Sequence, residues 1–146
     1  MTAKEYLLKI QTYRKAIESY RQKIEELYVE ASGVKAIVYD KDRVQTSTIN
    51  RFEEVMVKVD IEAAKMARAI LKYQAAVQIR TEQIANMDRA DHAEILRLRY
   101  VELDDFGRQM SLEQIACIMH LSFYRVAHLH GEALQAFDRK YKVSKH

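Results

Sequence analysis

The sequence has no proline, no tryptophan, three glycines and one cysteine among its 146 residues. Proline and glycine supply most tight turns of β-sandwiches and β-barrels, so their scarcity favours long helices joined by few loops. The single cysteine excludes an internal disulfide framework. No apolar run approaches the roughly 20 residues of a membrane span, and the polar first residues lack the apolar core of a signal peptide. We therefore expect an all-α, cytoplasmic protein without a membrane partner.

The composition separates the chain into two regions. Apolar residues make up 49% of the sequence, which is enough for a folded core. Residues 1–90 hold 16 basic and 13 acidic residues, whereas residues 91–146 hold eight of each and all five histidines. This change predicts a helical region over 1–90 and a separate C-terminal domain over 91–146.

The first 31 residues carry an apolar seam with alternating steps of four and three. Over three heptads this spacing is typical of a coiled coil, and the intervening Lys, Arg, Glu and Gln favour helix. Ser32 and Gly33 predict the helix end. The seam residues are Tyr6, Ile10, Tyr13, Ile17, Tyr20, Ile24, Leu27 and Ala31.

A second seam follows a predicted 15-residue connector, 33–47, whose apolar centre either packs on the helices or is extended. Thr46, Ser47 or Thr48 caps the second predicted helix. Helices of about 30 and 40 residues predict an antiparallel hairpin, and the seam left uncovered on the longer one predicts a homodimer through the coiled coil. The second seam consists of Ile49, Phe52, Met56, Val59, Ala63, Met66, Ile70, Tyr73, Val77, Arg80, Ile84 and Met87.

The C-terminal region opens with a predicted capping box, Asp91 and Glu94. The following helix has four predicted inward side chains. A loop over 104–107 then precedes a second capping box, Ser111 and Gln114. The inward side chains are Ile95, Leu96, Tyr100 and Leu103.

The spacing after Ser111 predicts a helix-turn-helix. A short helix over 112–119 and a tight turn over 120–122 precede a longer helix capped by Ser122. Ala116 suits the helix crossing, and Leu121 is predicted to plug the turn. His120 occupies the position where glycine usually provides a left-handed backbone, which histidine tolerates at some cost.

The apolar periodicity predicts which residues of the two helices of the helix-turn-helix face the core. Cys117 is expected near the core and His130 at its edge. The predicted inward residues are Leu112, Ile115, Ala116 and Met119, then Val126, Leu129, Ala133, Leu134 and Phe137.

These segments resemble the promoter-reading fourth region of bacterial sigma factors. The resemblance covers residues 91–140 and is carried by 93–100 (AEILRLRY), 111–116 (SLEQIA), 121–126 (LSFYRV) and 130–134 (HGEAL). The hairpin and this module together are similar to the ArpU/RinA-type late transcription regulators of phages of Gram-positive bacteria. The resemblance implies a DNA-binding activator of phage or prophage late genes in the bacterial host cytoplasm, with host RNA polymerase as a candidate partner.

The predicted DNA contacts lie on the final helix, whose early outward residues would enter the major groove. Arg125 can bond guanine O6 and N7, and Phe123 can contact a thymine methyl. Ser111, Gln114 and Ser122 suit phosphates, with Arg108, Arg139, Lys140 and Lys142 as peripheral phosphate contacts. The predicted contacts are Ser111, Gln114, Ser122, Phe123, Tyr124, Arg125 and His128.

The sequence carries no pattern that is typical of a metal site or of an enzyme active site. Cys117, His120, His128 and His130 do not follow zinc-finger spacing, and no nucleophile–base set or phosphate loop is present. We therefore expect no metal, no cofactor and no enzymatic activity. The alternative is a protein-binding adaptor that docks on RNA polymerase or another regulator without reading DNA, which the neutral charge of 91–146 favours.

Overall fold

A computed structural model describes residues 1–36 and 42–145, with side chains described for 1–33 and 49–145. Within these residues every regular element is helical, and the one β-type contact is an isolated bridge between Leu103 and Gln109. None of the described helices is both long and apolar enough to cross a membrane. The elements are α1 Ala3–Ala36, α2 Asp42–Ala85, α3 Ala90–Leu96, a π-helical turn Arg97–Val101, α4 Leu112–Met119, α5 Phe123–Tyr141 and a 3-10 turn Val143–Lys145.

The seam predicted for α1 is confirmed, because each of its eight side chains is buried or half-buried. The predicted helix end is wrong, since α1 continues through Gly33 to Ala36. A glycine inside a helix costs only about 1 kcal/mol relative to alanine, so it weakens a long helix without ending it.

The predicted start of α2 is also wrong, because this helix begins at Asp42 and already contains Thr46, Ser47 and Thr48. The predicted connector shortens accordingly, and its residues 37–41 lie outside the described part of the chain. The two long helices have 34 and 44 residues, against the predicted 30 and 40.

The buried face of α2 follows most of the predicted seam. Ile49 and Ala63 are exposed instead, while Val55 and Ala76 are buried. A straight helix buries a face that is wider than a two-position seam, so residues beside the seam also enter the core.

The described structure forms two compact units. One comprises Tyr13–Lys72, with Ala31, Val55 and Val59 among its buried side chains. The other comprises Met1–Thr12 together with Tyr73–His146. The second unit therefore contains the start of α1 and the end of α2 in addition to the predicted domain 91–146. The full-length hairpin and the domain boundary at residue 90 stay predictions.

Arg80, the one charged residue of the predicted α2 seam, is buried near the end of α2 and contacts the start of α1. Its Nε donates a hydrogen bond of 2.8 Å to the carbonyl oxygen of Tyr6, and its guanidinium lies 4.0 Å from the centre of the Tyr6 ring. The Tyr6 hydroxyl donates to Oε1 of Gln83 at 2.8 Å. A desolvated cation over an aromatic ring contributes about 2 kcal/mol, so Arg80 joins the start of α1 to the end of α2.

The core of the second unit brings together residues from every element between α1 and α5. Its largest fully buried side chains are Tyr100 and Phe137. The predicted inward residues of α4 and α5 are confirmed as buried or half-buried. The fully buried set also includes Leu7, Ile95, Leu96, Ile115 and Val126.

Two predictions for the region before α4 are wrong. The helix starts at Ala90 with Arg89 as N-cap and no side-chain cap, because Asp91 lies inside the first turn and pairs with Arg89 Nη2 at 2.6 Å. Leu103 is 36% exposed, since the helical backbone ends at Val101, two residues before it.

Candidate nucleic-acid interface

The start of α4 is fixed by the predicted capping box. Ser111 Oγ accepts a hydrogen bond from the backbone N–H of Gln114 at 3.2 Å, and Gln114 Oε1 accepts one from the N–H of Ser111 at 2.8 Å. Gln114 Nε2 also donates to Oδ2 of Asp104 at 3.3 Å. Both side chains therefore hold the helix start, and their contact with a DNA backbone stays a prediction.

Asp104 organises the loop before α4, a role that sequence reasoning missed. Its Oδ1 accepts hydrogen bonds from the N–H groups of Phe106 and Arg108, at 2.9 and 2.8 Å. The Arg108 bond is the main reason why the pKa of Asp104 lies below its usual range. Gly107 has φ +74° and completes the turn. An aspartate three residues before a glycine is the signal of such a turn, and its negative charge opposes a phosphate at this end of α4.

The turn between α4 and α5 adopts the predicted left-handed backbone at His120, with φ 56° and ψ 41°. The backbone N–H of Leu121 donates to the carbonyl oxygen of Ala116 at 3.0 Å, which closes the helix end. The predicted plug is wrong, because Leu121 is 37% exposed. The helical periodicity of α4 ends at His120, so it does not place Leu121 on the face that carries Ile115 and Ala116.

Cys117, expected near the core, is exposed on α4. It directly follows the buried Ala116, and one residue rotates the side chain by about 100° around a helix. With Ile118 at 47% exposure, it belongs to the outer face of α4.

The start of α5 is fixed in the same way as that of α4. Ser122 has an extended backbone, and its Oγ accepts a hydrogen bond from the N–H of Arg125 at 3.2 Å. Val126 and Leu129 are buried behind it. The predicted cap and core face are confirmed. A hydroxyl that accepts one hydrogen bond can still donate another, so Ser122 can hold its helix and contact a phosphate together.

Four predicted contact residues of α5 lie on one exposed stretch near its start. Tyr124 is 85% exposed and Phe123 is 45% exposed, with their rings edge to face at 6.0 Å between centres. Arg125 is exposed, and within the described residues its guanidinium has no hydrogen-bond or ion-pair partner. His128 is exposed as well. The first two turns of α5 thus present two aromatic rings, one guanidinium and one imidazole.

The exposed His128 has one acidic partner. Its Nε2 lies 2.8 Å from Oε1 of Glu132, and the other oxygen of Glu132 lies 3.8 Å from Nε2 of the buried His92. Sequence reasoning missed Glu132, although a spacing of four residues on a helix is the signal for such a pair. An acidic group therefore lies beside the predicted contact residues and occupies one nitrogen of His128.

The peripheral cations Arg108, Arg139, Lys140 and Lys142 are all exposed. Lys140 Nζ donates to the carbonyl oxygen of Asn86 and to Oδ1 of Asp88. Lys142 closes α5 with a left-handed backbone, φ 53°. Lys140 is thus the peripheral cation whose ammonium is already engaged, and phosphate contacts by all four residues stay predictions.

His130 lies at the core edge, as predicted, and holds α5 against the π-helical turn. Burial lowers its pKa to about 4, and the nearby positive charge of Arg99 acts in the same direction. The imidazole is therefore neutral at pH 7 and belongs to the packing that supports the exposed residues rather than to the contact surface.

Comparison of the chain with protein-family models, with curated proteins and with solved structures found no match. Function is therefore inferred from the geometry of α4 and α5 and from the resemblance to the fourth region of sigma factors.

Proposed function

We propose that α4, the turn at residues 120–122 and α5 form a helix-turn-helix, and that the protein is a sequence-specific DNA-binding transcription regulator. The observation that carries this proposal is the exposed start of α5, where Phe123, Tyr124 and Arg125 follow a fixed cap. A recognition helix needs exposed residues near its start and buried residues that pack it on the rest of the domain. Val126 and Leu129 are the buried residues here.

The roles of the contact residues follow from their chemistry. Arg125 hydrogen-bonds O6 and N7 of a guanine, a contact that contributes about 1–3 kcal/mol of discrimination. Phe123 packs on a thymine methyl, and Tyr124 and His128 contact an adjacent base or phosphate. Ser122 donates to a phosphate at the helix start. No metal, cofactor or catalytic step is part of this function.

A single module of this kind binds DNA with modest affinity. The C-terminal region carries as many acidic as basic residues, and Asp104 and Glu132 lie near the proposed contacts. Much of protein–DNA affinity comes from cations that neutralise phosphates, so a homodimer that places two modules on repeated half-sites would supply the missing affinity. The layout and the sigma-like resemblance suggest activation of phage or prophage late genes in a bacterial host.

The test begins with selection of bound fragments from the source genome, followed by titration of the selected duplex and a scrambled duplex over a range of salt concentrations. We expect affinity to fall steeply with salt, in proportion to the phosphates contacted. Arg125→Ala should remove the preference for the selected duplex while leaving helicity unchanged. Arg108→Ala is the matched control, because loss of a phosphate contact weakens both duplexes alike. An unchanged preference in Arg125→Ala would contradict the assigned reading face.

An adaptor that binds protein without reading DNA is the second candidate. It is favoured by the exposed apolar side chains around the turn, namely Ile118, Leu121, Phe123 and Tyr124, because apolar surface is typical of protein interfaces. This function predicts no selected duplex and direct binding to purified bacterial RNA polymerase. Tyr124→Ala should then weaken polymerase binding, whereas Arg125→Ala should have little effect.

A further inference from the structure

The α2 helix has an exposed apolar line in addition to its buried face. Val57 is 57% exposed, Ile61 50% and Leu71 65%, whereas Val59 is buried. Two residues correspond to about 200° around a helix, so Val57 faces away from Val59. All these residues belong to the unit Tyr13–Lys72. The exposed line is therefore separate from the face that forms the core of that unit.

The spacing of this line is that of a coiled coil. We call Val57, Ile61, Ala64, Arg68 and Leu71 the outer stripe; all five are exposed, and the steps between them are four, three, four and three. In heptad terms, residues 61 and 68 occupy position a, and residues 57, 64 and 71 occupy position d. A second helix with the same spacing would bury these side chains.

Charged residues flank the outer stripe in a pattern that suits a second copy. Glu53 and Asp60 occupy position g, and Lys58, Lys65 and Lys72 occupy position e, with all five exposed. In a parallel pair, position g contacts the position e that lies five residues later in the other helix. Glu53 then meets Lys58 of the second copy and Asp60 meets Lys65, twice each by symmetry.

The opposite orientation is unfavourable for the same charges. In an antiparallel pair, positions e of the two helices face each other. Every antiparallel register that keeps the stripe in contact therefore places lysine against lysine, drawn from residues 58, 65 and 72. Like charges that face each other disfavour the wrong pairing, so the flanking charges select the parallel orientation.

We propose that the outer stripe is the contact between two copies of this chain, paired in parallel along residues 53–72 of α2. Of the three residues at position a in this segment, Glu54, Ile61 and Arg68, two are charged and face their own copies in a parallel pair, so they set register at a cost in stability. Arg68 lies in the C-terminal half of the stripe. Its aliphatic stem packs while the guanidinium reaches solvent. The dimer is therefore in equilibrium with the monomer, and its fraction rises with protein concentration. Arg68→Leu should strengthen this self-association.

This inference deepens the proposed function and depends on it for its biological purpose, since a parallel dimer supplies two copies of the C-terminal region for repeated half-sites. Its test uses no DNA. Failure of dimer formation and failure of DNA discrimination are therefore separate results.

The test is disulfide trapping in the full chain carrying Cys117→Ser. Val57→Cys and Leu71→Cys are prepared separately, with Ala63→Cys, an exposed residue outside the stripe, as the control. Each protein is equilibrated in glutathione buffer and analysed on non-reducing gels. In a parallel pair both stripe positions lie opposite themselves, so both should form at least fivefold more covalent dimer than Ala63→Cys. An antiparallel pair cannot trap both, because residues 57 and 71 are about 21 Å apart along a helix.

Two results would overturn the proposal. One is covalent dimer at 57 and 71 that does not exceed the control. The other is a mixture of the two variants in which the 57–71 product predominates.

A charge exchange provides a second measurement that does not alter the apolar stripe. Changing Lys58 and Lys65 to Glu should weaken self-association at least tenfold in sedimentation experiments. Adding Glu53→Lys and Asp60→Lys should restore it. Restored self-association supports the parallel contacts. A quadruple variant that associates as weakly as the double variant contradicts them.

Discussion

The hydroxyl oxygen of Tyr100 and Nε2 of His130 lie 2.8 Å apart and join the π-helical turn to α5. Their rings are stacked with 5.7 Å between centres, and Tyr100 is fully buried. Burial raises the pKa of Tyr100 to about 12 and lowers the pKa of His130 to about 4. Both groups are thus neutral at pH 7, where they share a hydrogen bond behind the exposed start of α5.

This pair predicts a fall in stability on acidification. In the unfolded chain a histidine binds a proton near pH 6.5, whereas folded His130 does so only near pH 4. Between these values the unfolded state binds more protons, so the free energy of unfolding decreases as the pH falls from 6.5 to 4. Above pH 10 the raised pKa of Tyr100 predicts a second loss.

The measurement is urea unfolding at several pH values, for the wild type and for His130→Gln. Glutamine keeps a hydrogen-bonding group near Tyr100 but does not titrate. The carboxylates with lowered pKa values are the same in both proteins, so the difference between the two curves isolates His130. We expect a flatter curve for His130→Gln between pH 6.5 and 4, and equal slopes would contradict the role assigned to this residue.

The N-cap of α5 predicts a specific loss of stability. Ser122→Ala removes the oxygen that accepts from the N–H of Arg125, and replacement of such a cap costs about 1 kcal/mol. Ser19→Ala, at an exposed position inside α1, is the control and should change stability by less than about 0.5 kcal/mol. Both values come from urea denaturation, and equal effects would show that the cap does not stabilise α5.

The helices were predictable wherever local chemistry decides the outcome. The steps of four and three in α1 predicted its buried face, and the Ser111 and Ser122 caps predicted where α4 and α5 begin. The helix ends around Gly33 were not predictable, because a glycine cost of about 1 kcal/mol is small beside the packing of a long helix. The capping signal of Asp91 misled because this residue lies inside the first turn, where its carboxylate pairs with Arg89 and accepts from the N–H of His92.

The candidate site was predictable in its exposed residues but not in their partners. Periodicity from Val126 and Leu129 indicated that Phe123, Tyr124 and Arg125 point outward. The pairing of His128 with Glu132 depends on side-chain rotamers, which spacing alone leaves open. Leu121 was misplaced because a left-handed residue redirects the chain, so the periodicity of α4 does not extend across the turn.

The Glu132 carboxylate predicts an effect on DNA affinity. It lies 2.8 Å from Nε2 of His128, within the proposed contact region. Glu132→Gln removes a negative charge near the phosphates and should raise affinity roughly two- to fivefold, which corresponds to about 0.5–1 kcal/mol at water-like screening. Fluorescence anisotropy with the selected duplex measures this change. The gain should shrink in high salt, and Glu30→Gln, an exposed acid on α1, should produce none.

The left-handed backbone at His120 predicts opposite effects for two substitutions. At φ 56° a side chain is strained, and glycine removes this strain but gains entropy in the unfolded chain. His120→Gly should therefore raise the free energy of unfolding by up to about 1 kcal/mol, whereas His120→Val should lower it, because a β-branched residue tolerates this conformation worst. Lys142 has φ 53° at the end of α5, so Lys142→Gly and Lys142→Val should change the free energy of unfolding in the same two directions. If His120→Val were as stable as the wild type, the turn in solution would differ from the one described, and the orientation of α5 relative to α4 would differ with it.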